Sequence, residues 1–472
     1  MNIANINILQ AMKFRISSLR LTHQHALTLT YSALLLFPFM VAESLGMLSE
    51  GLYSGVLSIL NLLAMMAFFI QFPLAGRLKH LPLFANIDWG MTKHKQLGKY
   101  LGIFFFLHPL LILAPKLLVS VDDFTFSIVS AITSPQLLTG LIAWTVMAVW
   151  VLMSIYKDKL KISYETWRLC HVIGFVAIAT LATLHITTVG SHGQYNQEFN
   201  LLWWALYILS MSLVTYNYFI KPNMIKRQPF SIASIEKISE CDWQLNIKPN
   251  TKQSFSFEAG QFVWLNTSGS AYNLEQHPFS IVSDENKETQ LSFIIRELGD
   301  YTSSLGQLQI GQTVFVDGPY GNMNLGQSRM AEGITLIAGG AGIAPMLGLL
   351  RELAKQNDPR PIRLLYGNQN LQKMVCLDEL ISLEKTMRNF KLQLLCEQTE
   401  NSPEIFTDFI KQGFIEEVDI ANSISTEFKS RKQANNWSVY LSGPEMMMMA
   451  TTKNLKALGV TADHIHLEQL SF

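Results

Sequence analysis

Six apolar segments, roughly 26–48, 53–76, 97–119, 135–156, 169–190 and 200–220, dominate the first half of this 472-residue chain. Each is long enough to cross a bilayer as a helix, which makes the bilayer the first constraint on the fold. From Lys221 to Phe472 the sequence reads as ordinary soluble protein, with room for two further domains. The resulting plan is a cytoplasmic segment at 1–25, a six-span domain at 26–220, a linker at 221–230, and domains at 231–330 and 331–472.

The formal net charge is zero, so the placement of charge says more than its sum. Lys13, Arg15 and Arg20 precede the first segment, and Arg77, Lys79, Lys93 and Lys95 lie between the second and third. Lys157, Lys159, Lys161 and Arg168 lie between the fourth and fifth, and Lys221, Lys226 and Arg227 follow the sixth. The other loops carry Lys116 as their cation, with Glu50, Asp122, Asp123 and Glu198. By the positive-inside rule both termini are expected in the cytoplasm, in an integral protein of the cell (inner) membrane. The first 25 residues lack a small-residue cleavage site after an apolar core, so the first span is expected to stay in the mature protein. No nucleic-acid partner is expected.

Cys170, Cys241, Cys376 and Cys396 form no CxxC pair, which argues against a disulfide framework, zinc or an iron–sulfur cluster. A metal would fall to histidine. HKQLGKYLGIFFFLH places His94 and His108 fourteen residues apart, and CHVIGFVAIATLATLH repeats that spacing with His171 and His185. In a helix this interval returns to nearly the same face about 21 Å further along. The two segments run in the same direction, so His94 can face His171 at one depth and His108 can face His185 at another. Facing imidazoles are what a six-coordinate haem iron needs. The competing reading is four interfacial or interhelical polar residues, which does not account for the repeat. His23, His25 and His80 have no such partners and read as interfacial or solvated.

After the KPNMIKRQPF linker come β-rich runs with turn signals: FSIASIEKIS, WQLNIKP, GQFVWLNTS, LSFIIRELG and QTVFVDGPYG. They predict a small antiparallel barrel. From Gly333 the pattern changes to strands alternating with helices, in GITLIAGGAGIAPMLGLLREL, PIRLLYGNQN, FKLQLLCEQT and NWSVYLSGPEMMMMATTKNLKALG. This predicts a parallel α/β nucleotide-binding domain with its ligand at the carboxyl ends of the strands. The fold class is thus an all-α six-helix bundle, an antiparallel β-barrel and an α/β domain.

HPFS (277–280), GDYT (299–302), GPYG (318–321), GGAGIAPM (339–346), SGPE (442–445) and the terminal Phe472 together resemble a ferredoxin–NADP reductase-type flavin module. Joined to six spans with paired histidines, the chain resembles the ferric reductase and NADPH oxidase family over about 90–472. That resemblance implies FAD, two b-type haems held by His94, His108, His171 and His185, and NADH or NADPH. It implies FAD contacts from His277, Pro278, Phe279, Ser280, Arg296, Gly299, Tyr301, Thr302, Gly318 and Gly321. Ser280 would lie near the flavin N5 edge, and His277 and Arg296 near the pyrophosphate. Nucleotide contacts are implied for Gly339, Gly340, Gly342, Ile343, Pro345 and Met346, for Tyr366, Gly367 and Asn368, and for Gly443 and Pro444. Ser280, Ser442, Glu468 and Phe472 are the implied catalytic residues, with Phe472 over the flavin ring.

Two positions depart from the family pattern. Ser442 stands where the family usually has cysteine, and Asn368, Gln369 and Asn370 stand where it often has an arginine for the NADPH 2′-phosphate. Amides can bond a ribose hydroxyl but cannot neutralise a dianion, so the choice of nucleotide stays open. The expected reaction carries electrons from cytoplasmic NAD(P)H through FAD and both haems to an external metal chelate, or alternatively to oxygen. Arg168 could neutralise a haem propionate or serve as a positive-inside anchor. His192 could line an acceptor pocket or sit in solvent. A haem-binding sensor or assembly subunit is the reading from another class, and the complete flavin and nicotinamide motifs argue against it.

Overall fold

The computed structural model describes residues 23–47, 50–78, 87–190, 195–251, 255–284, 290–398, 409–424 and 436–467. It divides into two compact units, Met1–Ile220 and Lys221–Phe472.

In the first unit the described helices are α1 (His23–Ser44), α2 (Leu52–Ala75), α3 (Ile87–Leu117), α4 (Val121–Thr133), α5 (Leu138–Ile155), α6 (Tyr164–Val189) and α7 (Gln197–Thr215). Among the described residues six helices are long and apolar enough to cross a membrane. Ile103, Phe106, Leu110, Val149, Leu152, Ile208 and Leu209 are exposed on them, as suits side chains whose solvent is lipid. The core between the helices is built from Leu62, Met65, Phe68, Phe69, Phe175, Ile178, Phe199 and Trp203. α3 begins at Ile87, well before the apolar run that predicts it, so His94 and His108 share one continuous helix. α6 does the same for His171 and His185.

α4 had no counterpart in the hydropathy reading because it is too short to span. The Ser120 side chain accepts from the Asp123 N–H, and Asp122 and Asp123 occupy its first turn, where negative charge is favoured. Phe126, Val129 and Ile132 are exposed at helical spacing, the pattern of an interfacial helix.

In the second unit the antiparallel sheet is formed by β1 (Phe230–Lys237), β2 (Asp242–Pro249), β3 (Phe262–Asn266), β4 (His277–Ser280), β5 (Leu291–Arg296) and β6 (Thr313–Tyr320). Their order is β4-β3-β6-β1-β2-β5. An isolated bridge between Ile281 and Phe293 joins the two ends and closes the barrel. β4, the HPFS motif, pairs in register with β3 and stands at one end of the strand order.

The parallel sheet contains β7 (Gly333–Gly339), β8 (Ile362–Asn368), β9 (Phe390–Cys396), β10 (Ile410–Gln412), β11 (Trp437–Ser442) and β12 (Ile465–Leu467), in the order β10-β9-β8-β7-β11-β12. The chain runs outward from β7 through β10 and returns to β11 on the other side of β7. That reversal is the topological switch point, and ligands of open α/β sheets bind beside it at the carboxyl ends. Helices α8 (Ile343–Lys355), α9 (Leu377–Thr386), α10 (Glu417–Ser423) and α11 (Glu445–Ala457) alternate with these strands along the chain.

Barrel and α/β lobe share a core, in which Ala259, Val282 and Met323 join Leu336, Ala344, Met346, Leu347 and Leu350. A Cβ on Gly348 of α8 would come within 2.9 Å of the Ile281 carbonyl. The helix that follows the glycine-rich turn therefore packs directly on the chain leaving HPFS.

Candidate functional site

In the helical unit the His94 and His171 imidazoles stand with ring centres 6.1 Å apart and planes at 76°. Two imidazoles sharing one metal at bonds of roughly 2 Å each put their ring centres about 6 Å apart, so the pair fits an axial ligand set. Their remaining nitrogens are already engaged: His94 Nδ1 lies 3.1 Å from the Gln71 carbonyl oxygen, and His171 Nδ1 lies 3.0 Å from Ser154 Oγ. A carbonyl oxygen only accepts, so the first contact puts the proton of a neutral His94 ring on Nδ1 and leaves Nε2 unprotonated. His171 also stacks on Trp150 and Trp167, at 4.5 and 5.0 Å between centres. The Trp150 indole N–H donates to the His171 carbonyl at 2.9 Å, and a Cβ on Gly174 would overlap the Trp150 ring at 2.2 Å.

At the other depth His108 Nδ1 lies 3.0 Å from Asn61 Oδ1. His185 packs against Gly140, where a Cβ would approach its ring to 2.5 Å, and its buried Nδ1 has no hydrogen-bond partner among the described residues. Arg168 lies over the Tyr218 ring at 5.8 Å. Asn61, Gln71, Trp150, Ser154 and Trp167 are the neighbours that spacing arguments missed. Asn61, Gln71, Trp150 and Ser154 act from other helices, which nothing in linear order marks, whereas Trp167 lies one turn before His171 on α6.

In the barrel, His277 stacks on Tyr301 at 3.8 Å, and Phe279 lies 6.2 Å from the same ring. Tyr301 is anchored by Thr267 Oγ1 at 3.1 Å, and burial pushes its hydroxyl up to about 12. Thr302 Oγ1 accepts from the Leu298 and Gly299 N–H groups at 2.8 and 3.0 Å, which shapes the GDYT turn. HPFS and GDYT are thereby brought together. Pro278 and Phe279 are half-buried, and Ser280 is buried.

Asp317, Gly318 and Gly321 belong to the GPYG corner. Asp317 accepts from the Tyr320 hydroxyl at 2.7 Å and pairs with Lys221 at 2.9 Å. A Cβ on Gly318 would meet the Val263 side chain at 2.7 Å, and Gly321 adopts φ 101°.

Arg296 shows why a motif needs its surroundings. Asp242 sits opposite it in the β2–β5 register, and the guanidinium donates twice to that carboxylate at 2.9 Å and once to the Lys373 carbonyl at 3.0 Å. Burial opposes the charge, but bonding to Asp242 prevails and its pKa is raised. Nη1 lies against Gly340, whose Cβ would sit 2.5 Å away.

At the switch point two turns interlock. A Cβ on Gly342 would fall 2.1 Å from the Ser442 carbonyl oxygen, and one on Gly339 would fall 2.4 Å from Met447 Sδ and 2.9 Å from Pro444. Gly443, with φ 157°, approaches the Gly339 nitrogen in the same way. The glycines let the GGAG and SGPE turns meet across the crevice. Ile343, Pro345 and Met346 are buried in the first turns of α8.

At the end of β8 the Tyr366 side chain is wholly buried, its hydroxyl accepting from the Val375 N–H at 3.3 Å, so the strand offers backbone there. Gly367 and Asn368 end the strand, and the Asn368 amide donates to the Lys373 carbonyl. The Lys373 ammonium is held by Gln369 Oε1. Arg363 lies near the amino end of β8 and donates to the Asn389 carbonyl at 3.2 Å, away from the carboxyl ends. Glu468, Phe472 and His192 lie outside the described residues.

Three family models match in succession: a ferric reductase like transmembrane component over residues 54–182, an FAD-binding domain over 229–324, and an oxidoreductase NAD-binding domain over 336–453. This chain has the ferric reductase and NADPH oxidase architecture. It is a membrane protein and an oxidoreductase with FAD- and NAD-binding reductase domains.

Curated relatives match the reductase half. The propane 2-monooxygenase reductase component of Mycolicibacterium smegmatis is 26% identical over 230 residues, 48% of this chain and 63% of that protein. The toluate 1,2-dioxygenase electron transfer component of Pseudomonas putida is 26% identical over 246 residues, 51% of this chain and 67% of that protein. The chain thus spans 63% of the length of the first of these relatives. Among solved structures, a cytochrome P450 reductase from Amycolatopsis covers 52% of this chain and 69% of its own at 21% identity and a TM-score of 0.44. The flavohemoglobin from Malassezia yamatoensis covers 86% of this chain and 94% of its own at 18% identity and a TM-score of 0.47.

Proposed function

We propose that this chain is a transmembrane reductase that passes electrons from NADH or NADPH, through FAD and two b-type haems, to a metal chelate on the far side of the membrane. The observation that carries the reading is the His94–His171 pair, set at a bis-imidazole separation with both Nδ1 atoms already bonded. When bound, flavin would turn two-electron nicotinamide chemistry into the single electrons that haem carries.

The chain's own residues supply position and electrostatics. His94 and His171 would hold the inner haem, and His108 and His185 the outer. HPFS would offer backbone and the Ser280 hydroxyl to the flavin ring, with His277 stacked on Tyr301 beside it. Arg296 Nη1, beside Gly340, would meet a diphosphate. The GGAG turn lies at the start of α8, where the helix dipole favours an anion. Across the crevice Ser442 and Gly443 close the nucleotide site, with Pro345 and Met346 beneath it.

Proteoliposomes enclosing ferric citrate, with NADH added outside, test the reading directly. Internal ferrous iron formed only in haem-loaded vesicles supports it. A superoxide signal with no ferrous iron would move the acceptor to oxygen. Bound haem that never reduces would point to the sensor class instead.

A further inference from the structure

Gln71, in α2, is 5% exposed, and both its side-chain Nε2 and its Oε1 are buried without a hydrogen-bond partner among the described residues. In hydrocarbon no water is at hand to satisfy a buried amide, so such a group calls for a polar partner. Exchanging the amide oxygen and nitrogen does not help, since neither atom has one.

Its surroundings say where the partner would be. The Gln71 backbone carbonyl is the atom beside His94 Nδ1. On α3, Gly98 follows His94 by one turn and lies on the same face. A Cβ on Gly98 would meet nothing closer than Gln71 Oε1 at 3.9 Å, whereas Gly102, one turn further, is packed against Val151 at 2.8 Å. An open space beside His94 is thus bordered by an unpartnered amide, and Phe72 and Phe175 nearby are stacked at 5.3 Å as apolar wall.

We infer that the Gln71 side chain is a positioning residue for the inner haem, its amide donating to a propionate carboxylate, the hydrogen-bonding group that a b-type haem carries on its rim. The same residue would then orient the axial ligand through its main chain and the ring through its side chain. The inference rests on the haem reading above.

The test uses the full-length protein in detergent with two variants, Gln71→Met, which keeps volume and removes the donors, and Gln71→Glu, which adds a carboxylate against the propionate. Haem per protein, haem loss to an apomyoglobin scavenger, and the two midpoint potentials are measured. Removing one hydrogen bond to a charged group should speed haem loss about tenfold. One of the two potentials should fall in Gln71→Met and fall further in Gln71→Glu, because uncompensated negative charge near the ring favours ferric iron. Wild-type protein with two haems, and both variants with unchanged potentials and haem loss, would overturn this inference and leave the haem reading standing. Wild-type protein that binds no haem would overturn both. If the variants fold poorly, the potentials of whatever haem they retain still decide, since a merely structural role for Gln71 would not move them in the order Met then Glu.

Discussion

His94 on α3 and His171 on α6 bring their rings to 6.1 Å between centres, with each Nδ1 already bonded. Replacing either by alanine should remove the inner haem and leave flavin reduction by NAD(P)H intact. Pyridine haemochrome should read about one haem per protein instead of about two. Unchanged haem content in both variants would contradict the assignment.

Gly140 tests the outer site from the opposite helix. A methyl there would approach the His185 ring to 2.5 Å, so Gly140→Ala must push the imidazole aside. Overpacking of this kind costs about 1–3 kcal/mol. The expected result is loss of the outer haem with the inner one retained, read by haem content and by disappearance of one of two midpoint potentials.

Gly342→Ala would force apart the two turns of the switch point, because its Cβ would lie 2.1 Å from the Ser442 carbonyl oxygen. A cost of about 1 kcal/mol or more corresponds to at least a fivefold fall in kcat/KM for the nucleotide. Haem content should not change.

Nucleotide preference is tested at Lys373. It follows β8 at the carboxyl end, its ammonium held by Gln369, whereas Arg363 is committed near the other end of the strand. Lys373→Met should lower kcat/KM for NADPH about tenfold, the worth of one charge-assisted hydrogen bond, and barely touch NADH. Equal effects on both would remove Lys373 from the 2′-phosphate.

A pH dependence follows from His466 on β12, buried beside Tyr440 with ring centres 4.7 Å apart. Burial, and then the nearby His464, lower its pKa to about 4. As pH falls the unfolded chain takes up its proton near the ordinary value of 6.5, while the folded chain does so only near 4. Stability is therefore complete above about pH 6.5 and declines toward pH 4, by up to about 3 kcal/mol. Melting curves followed by flavin fluorescence should show this acid loss, and His466→Gln should reduce it.

Much of this was legible in the sequence because it depends on local pattern. Apolar length marked the spans, and turn signals marked the barrel strands and the Gly339–Gly342 turn. What was hidden depends on chain segments meeting at a distance. Gln71 reaches His94 across 23 residues, Ser154 reaches His171 across 17, and Asn61 reaches His108 across 47. Asp242 opposite Arg296 is a fact of strand register that a motif does not contain. α4 escaped because a short amphipathic helix lacks the long apolar run by which spans are found.

The central claim is that electrons from the nucleotide reach histidine-held haem through flavin. Anaerobic stopped-flow mixing of the purified full-length protein with NADH, followed at flavin and haem wavelengths, tests it most directly. The account predicts bleaching of the flavin band followed by reduction of both haems, with about half the haem signal lost in His108→Ala. Flavin that reduces while bound haem stays oxidised, or protein that carries no haem at all, would contradict it.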